Sequence, residues 1–236
     1  MELFGRAAIL FERIREAADR SEGHVVFGSV HSQWSSGILS FLTQWAHQRP
    51  GVTWRLITGH SRELLDRIHD GALDAALTYL PGAQKGLQST LIAEQRLALY
   101  TAHPAQGISC KAFTPSTVRT MPLAHLDWGP PFTSWFQREL EGWTPSVQVD
   151  QVPLLLEILM AGSYVGFLPA ALAREVVLAG RLVELNYQYL EPIPSRSVYL
   201  VGSEQALDRA VVQGLWNHLI TEGPMLFNGR LASPME

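Results

Sequence analysis

The residues able to do covalent chemistry do not form a working constellation in this sequence. Gly59-His60-Ser61-Arg62-Glu63 approaches the G-x-S-x-G of a strained nucleophile turn, but Glu63 stands where the second glycine is needed. Cys110 is the single cysteine, so no disulfide can close within the chain, and no His and Asp accompany it in a nucleophile motif. An inert thiol in a reducing cytoplasm is expected. The eight histidines are scattered without ligand spacing, and neither H-E-x-x-H, C-x-x-C nor a P-loop occurs. The expectation is therefore no catalysis, no cofactor and no metal.

What remains is binding chemistry: short polar and aromatic clusters where apolar runs end. Ser32, Gln33 and Trp34 follow the run HVVFGSV at residues 24–30. Their backbone amides would open a helix and favour an anion, although Ser32 is also a plain capping serine and Trp34 equally a core or interface residue. Ser61, in the analogous next turn, is either an N-cap or a contact. Thr78 and Tyr79 end a third apolar run, and Trp128-Gly129 end another; a glycine there lets a ligand approach the backbone. Asp150 reads as an N-cap and Gln151 as the contact beside it. Ser195, on a connecting segment, is expected to stay out of the site. These turns hold several aromatics and few cations. They favour an aromatic or partly apolar molecule, with room for one anionic group at helix N-termini, over a polyanion.

The elements that must position these turns alternate. Apolar strands are expected at 24–30, 52–58 and 73–79, with amphipathic helices between them carrying Ile38, Leu42 and Trp45, then Leu64, Leu65 and Ile68. This β-α-β-α-β order predicts a parallel sheet covered by helices. Residues 91–102 read as one or two extended segments broken at His103-Pro104. A second α/β unit follows, and the strand at 196–202 returns toward the first, ahead of a terminal helix at 207–220. The predicted division is a linker or dimerisation helix (1–22), lobe I (23–102 and 203–222), lobe II (103–202) and a frayed tail (223–236). Two crossings, near 102–104 and 195–203, make a hinge with a cleft, where open α/β sheets bind ligands.

Composition narrows the function further. Hydrophobic residues make up 47% and charged ones 17%, which supports a buried core and argues against disorder. Net charge is −4 and the only lysines are Lys85 and Lys111, so no basic stripe exists to displace counterions from nucleic acid. No apolar run approaches the ~18 residues of a membrane span. Arg6, Arg13, Arg15 and their acidic neighbours leave no apolar stretch for a secretory signal. Ala7, Leu10, Phe11, Ile14 and Ala17 form one apolar helical stripe, which packs on its own domain or on a second subunit.

In order, VTWRLITGHSRELLDRIHDGALDAAL, LIAEQRLALYTAHP, VQVDQVPLLLEILMAGSYVGFLPAALA and GRLVEL follow the opening HVVFGSVHSQWSSGILSFLTQWAHQRPGV. This ordered set resembles the LysR-type transcription regulators over about residues 3–220, with 3–20 similar to their linker helix. The resemblance implies a periplasmic-binding-protein-like (type 2) fold of two Rossmann-like lobes. It implies a small-molecule effector in the cleft touching the turns named above, dimers or tetramers in the cytoplasm, and control of transcription. DNA would be held only through the family's helix-turn-helix head, which these residues do not resemble. A transporter's solute-binding protein, sharing the fold, is the alternative; it would need export and has no use for the linker helix.

Overall fold

The first strand, β1 (His24–Ser29), is an inner strand of its sheet with both faces covered, as its near-continuous apolar run requires. Val25 and Phe27 point to one core with Leu42, Trp45, Leu215 and Leu219, while Val26 joins Leu64, Leu65, Ile68 and Leu73 on the other. The computed structural model describes residues 23–102 and 112–227. The linker-helix expectation at 1–22, the break at His103-Pro104, Cys110, Lys111 and the last residues of the tail lie outside the described residues.

β1 pairs in parallel with β2 (Thr53–Thr58) and β3 (Ala75–Thr78), joined by helices α1 (Leu39–His47) and α2 (Ser61–His69). Residues 31–37, expected as a polar turn, instead form two short helical pieces, His31–Gln33 and Trp34–Ile38, kinked at Gly37 with φ +87°. The Ser36 hydroxyl donates to the Ser32 carbonyl at 3.1 Å, so the segment satisfies its polar groups internally and winds rather than loops.

The long strand β4 (Leu87–Gln95) lies at the far edge of this sheet, and β10 (Arg196–Ser203) runs antiparallel between β3 and β4, giving the order β2-β1-β3-β10-β4. The next strand, β5 (Leu97–Thr101), pairs instead with β8 (Val165–Pro169) and β9 (Val183–Glu184) in a second sheet. The expected lobe boundaries therefore shift. The outward crossing falls at Arg96, not at 102–104, because residues 97–101 bond to the second sheet. The return falls at Ser195–Arg196, because the whole of 196–203 bonds to the first. Both crossings are fastened: Glu94 accepts from the hydroxyls of Ser195 at 2.5 Å and Ser197 at 2.7 Å, and Arg96 forks onto Glu184 at 2.6 and 2.8 Å.

The second lobe adds α3 (Pro115–Val118), β6 (Ala124–His125), α4 (Pro130–Glu139), β7 (Val147–Gln148), α5 (Val152–Met160) and α6 (Ala170–Leu178). Its core is one cluster rich in rings, with Phe132, Trp135, Phe136 and Phe167 packed edge-to-face and tilted. Gly166 permits β8 to approach β6, since a Cβ there would come within 2.8 Å of the Ala124 carbonyl oxygen.

After α7 (Glu204–Leu207) the last helix, α8 (Ala210–Phe227), runs past Gly223 and Pro224, where a frayed tail was expected. Phe227 is buried in the first lobe's core and Gly223 lies beside Ile92; this packing outweighs the lost amide of Pro224. Among the described residues no helix is long and apolar enough to cross a membrane.

Candidate functional site

A cleft of about 890 Å³ opens between the two sheets, walled by both lobes and floored by the return strand. From the first lobe come Ser32, His60, Ser61 and Tyr79; from the second Trp128, Gly129, Phe132 and Gln151; from the hinge Ser195 and Arg196. Three helices of full length begin at its rim. Their N-cap residues are His60, Gly129 and Gln151, and none of the three makes a side-chain cap bond. The start of α2 therefore presents first-turn amides without a side-chain acceptor, whereas α4 opens on Pro130-Pro131 and α5 carries Pro153 at its second position, so fewer N–H groups face the cleft from those two. Ser61 and Asp150, read as caps, lie one position off: Ser61 is the first helical residue, and Gln151 takes the cap position from Asp150.

The expected contact residues divide. Ser32, Ser61, Tyr79, Trp128, Gly129 and Gln151 line one cavity. Gln33, Trp34 and Thr78 do not. The helical winding of residues 31–38 turns Gln33 fully inward, where its Oε1 is 3.5 Å from Gln95 Nε2 and its own Nε2 has no partner. The same winding lays Trp34 edge-on against Phe27, with its indole donating to Thr58 Oγ1 at 2.9 Å. Thr78 is fully buried and donates to the Leu80 carbonyl at 2.6 Å. Ser195, expected outside the site, is part of the cleft wall.

A polar chain supports the first-lobe wall. Ser32 Oγ and the Tyr79 hydroxyl are 2.7 Å apart, that hydroxyl donates to Gln95 Oε1 at 3.4 Å, and Ser61 Oγ accepts from the Tyr79 amide at 3.0 Å. Burial pushes the Tyr79 phenol above its ordinary range, against the pull of Arg196, so it remains a neutral donor. On the opposite wall the Trp128 indole donates to the Phe167 carbonyl at 2.9 Å, which fixes the ring face. Gly129 has φ +105°, a conformation open to glycine, and its amide donates to Asp127 Oδ1 at 2.9 Å.

Sequence reasoning missed Arg196. Its guanidinium carbon lies 3.4 Å from the Tyr79 ring centroid and 5.1 Å from that of Trp128, so one cation spans rings from both lobes. Burial lowers its pKa, while Tyr79 and Asp127 favour the charged form; an arginine stays protonated under these conditions. The available signal was positional: an arginine opening an apolar strand at a hinge, directly after Ser195.

The chain matches the LysR substrate binding domain model over residues 18–224 and belongs to that family. It is 38% identical over 87 residues to a probable hydrogen peroxide-inducible genes activator of Mycobacterium avium, a match covering 36% of this chain and 27% of that protein. The matched stretches span 27–49% of the length of the curated relatives. Among solved structures it resembles HinK, a LysR family regulator of Pseudomonas aeruginosa, with TM-score 0.70, 15% identity and coverage of 95% of this chain and 80% of that one. The CrgA regulatory domain of Neisseria meningitidis superposes with TM-score 0.67 at 11% identity, covering 84% and 98%. The fold is accordingly the two-lobed, periplasmic-binding-protein-like type 2 arrangement expected from the sequence.

Proposed function

We propose that this chain is the effector-sensing domain of a cytoplasmic transcription regulator. A small, partly apolar metabolite would bind in the interlobe cleft and bias the arrangement of lobes or subunits. The carrying observation is the convergence of three uncapped helix starts from both lobes, around aromatic walls, at the hinge. Effector contacts are proposed at Ser32, Ser61, Tyr79, Trp128, Gly129 and Gln151. Family membership favours this reading over the transporter one. DNA reading is assigned to a helix-turn-helix head separate from residues 18–224, and self-association to the apolar stripe of residues 7–17. The effector must prefer one arrangement, since equal affinity shifts nothing; a coupling of about 1–3 kcal/mol suffices.

The mycobacterial relatives' name points to hydrogen peroxide as a signal. Peroxide oxidises thiolates, and the chain's one cysteine, Cys110, lies outside the described residues, whereas the cleft itself is described and built for a small molecule. A bound metabolite is therefore the reading favoured here. A thermal-shift screen of metabolites tests it, with hits mapped by Gln151→Ala and peroxide included as a treatment. Saturating ligand at 100 times its Kd raises stability by roughly 2.7 kcal/mol. Hits indifferent to Gln151 and Trp128 substitution, or a response confined to peroxide and lost in Cys110→Ser, would overturn it.

A further inference from the structure

Arg196 is the cation set into the cleft wall at the hinge, while Arg62 lies exposed at its edge. The Arg196 guanidinium rests on the Tyr79 and Trp128 rings. No carboxylate of the described residues reaches ion-pair distance. Asp127, the acid whose charge acts on Arg196, spends one carboxylate oxygen on the Gly129 amide and the Thr133 hydroxyl, at 2.9 and 2.6 Å. Arg196 thus has two aromatic faces and the more distant charge of Asp127 for company, and its planar fork of N–H donors is shaped for a carboxylate. The open apolar surface of the wall comes from Leu80, Pro81, Pro130 and Pro131, with Trp128 and Phe132 buried behind it. The wall also carries Asp127 and Asp150, which oppose a second negative charge, while Glu63 is paired with Arg67 at 2.6 Å and Arg62 stands beside it.

We infer that the cleft takes a small organic monoanion, a single carboxylate on an apolar body, with the carboxylate seated on the Arg196 guanidinium at the hinge and the body against the exposed surface of Leu80, Pro81, Pro130 and Pro131. This rests on the cleft being the effector site. It replaces helix N-termini with a side-chain cation as the principal anion receptor. It also places the charge at the point where the chain re-enters the first lobe, so the ligand meets Tyr79, Trp128 and the hinge together.

The test uses four probes on the full chain by isothermal titration and thermal shift: phenylacetate, its neutral isostere phenylacetamide, the dianion phenylmalonate, and acetate. Charge-assisted pairing predicts that phenylacetate binds about tenfold or more tighter than the amide. Phenylmalonate should gain nothing over phenylacetate, and acetate should bind weakest. In Arg196→Gln the carboxylate preference should vanish while phenylacetamide binds as before; Arg196→Lys should restore part of it. The carboxylate-to-amide comparison in the parent needs no variant, so a folding defect leaves the test intact. Equal binding of acid and amide in the parent, both lost in Gln151→Ala, would overturn the monoanion inference and leave the cleft reading standing. Binding indifferent to every cleft substitution would overturn both. Absence of binding by all four probes at about 10 mM, weaker than the millimolar range such contacts provide, would overturn the inference.

Discussion

The Ser32 and Tyr79 hydroxyls lie 2.7 Å apart, joining the start of the first helical segment to the end of β3 beneath the cleft. Tyr79 in turn carries the Arg196 guanidinium on its ring, so the pair holds the hinge cation from below. Ser32→Ala removes one partner and leaves the phenol with the longer 3.4 Å contact to Gln95. The expected loss is about 0.5–1.5 kcal/mol of stability, read by urea denaturation, together with weaker cleft binding. Tyr79→Phe in the Ser32→Ala background should add little; full additivity would show that the two hydroxyls do not cooperate.

Gly129→Ala tests the backbone at the mouth of α4. No heavy atom would crowd the new Cβ, so any cost comes from the φ of +105° alone. A non-glycine residue there should cost about 1–3 kcal/mol, and the adjacent Trp128 ring should shift enough to change its fluorescence. An unchanged denaturation midpoint would mean that the turn relaxes freely.

Glu139 is buried in the second lobe and accepts from the amides of Leu190 and Glu191, at 2.6 and 3.0 Å, and from the Tyr187 hydroxyl at 3.2 Å. Glu139→Ala strands three buried or half-buried donors and should cost about 3 kcal/mol or more. Glu139→Gln, which can satisfy fewer of them, should fall between. Chemical denaturation followed by Trp135 and Trp143 fluorescence reads this lobe.

Acid sensitivity should be traceable to His125. Burial against Phe132 and Phe136 lowers its pKa below the ordinary 6.5, with Asp127 opposing. The unfolded chain then binds a proton that the folded state resists, so stability rises with pH across this region. The contribution is fully present above 6.5 and declines as pH falls below it. His125→Phe should flatten the slope of stability against pH between about 7 and 5; an unchanged slope would assign the sensitivity to other groups.

Much of this architecture was legible from periodicity. The apolar runs at 24–30 and 73–79 became inner strands buried on both faces, which is why they carry continuous hydrophobics, while 52–58 became the exposed edge strand beside them. The extended stretch near 91–101 was visible as well, but not that Arg96 divides it between two sheets. Strand partners are tertiary facts, and residues 97–101 are as apolar as a strand of either lobe would be. At the site, turns named from strand ends supplied six wall residues, since strand ends converge by topology. Gln33 and Trp34 lie off this cavity because a polar stretch with no clear period wound into helix, and Thr78 because it ends β3 fully buried. Arg196 escaped notice because a charged residue opening a strand looks like an ordinary surface position until the opposite lobe brings a tryptophan to it.

The position of β10 carries a consequence for synthesis. It fills the gap between β3 and β4, and its last residue, Ser203, lies more than a hundred positions after the end of β4 at Gln95. On a ribosome, the nine-residue β4 therefore emerges without its partner, and the first sheet waits with an unclosed slot. The second lobe's strands, complete by Glu184, can already have paired. The later lobe in sequence is then the earlier one to pair its strands; arrival of Arg196 through Ser203 closes the first sheet like a key strip, and α8 then covers it. A pulse-labelling experiment on stalled nascent chains should find protection at Leu99 and Phe167 before protection at Leu91 and Ala93.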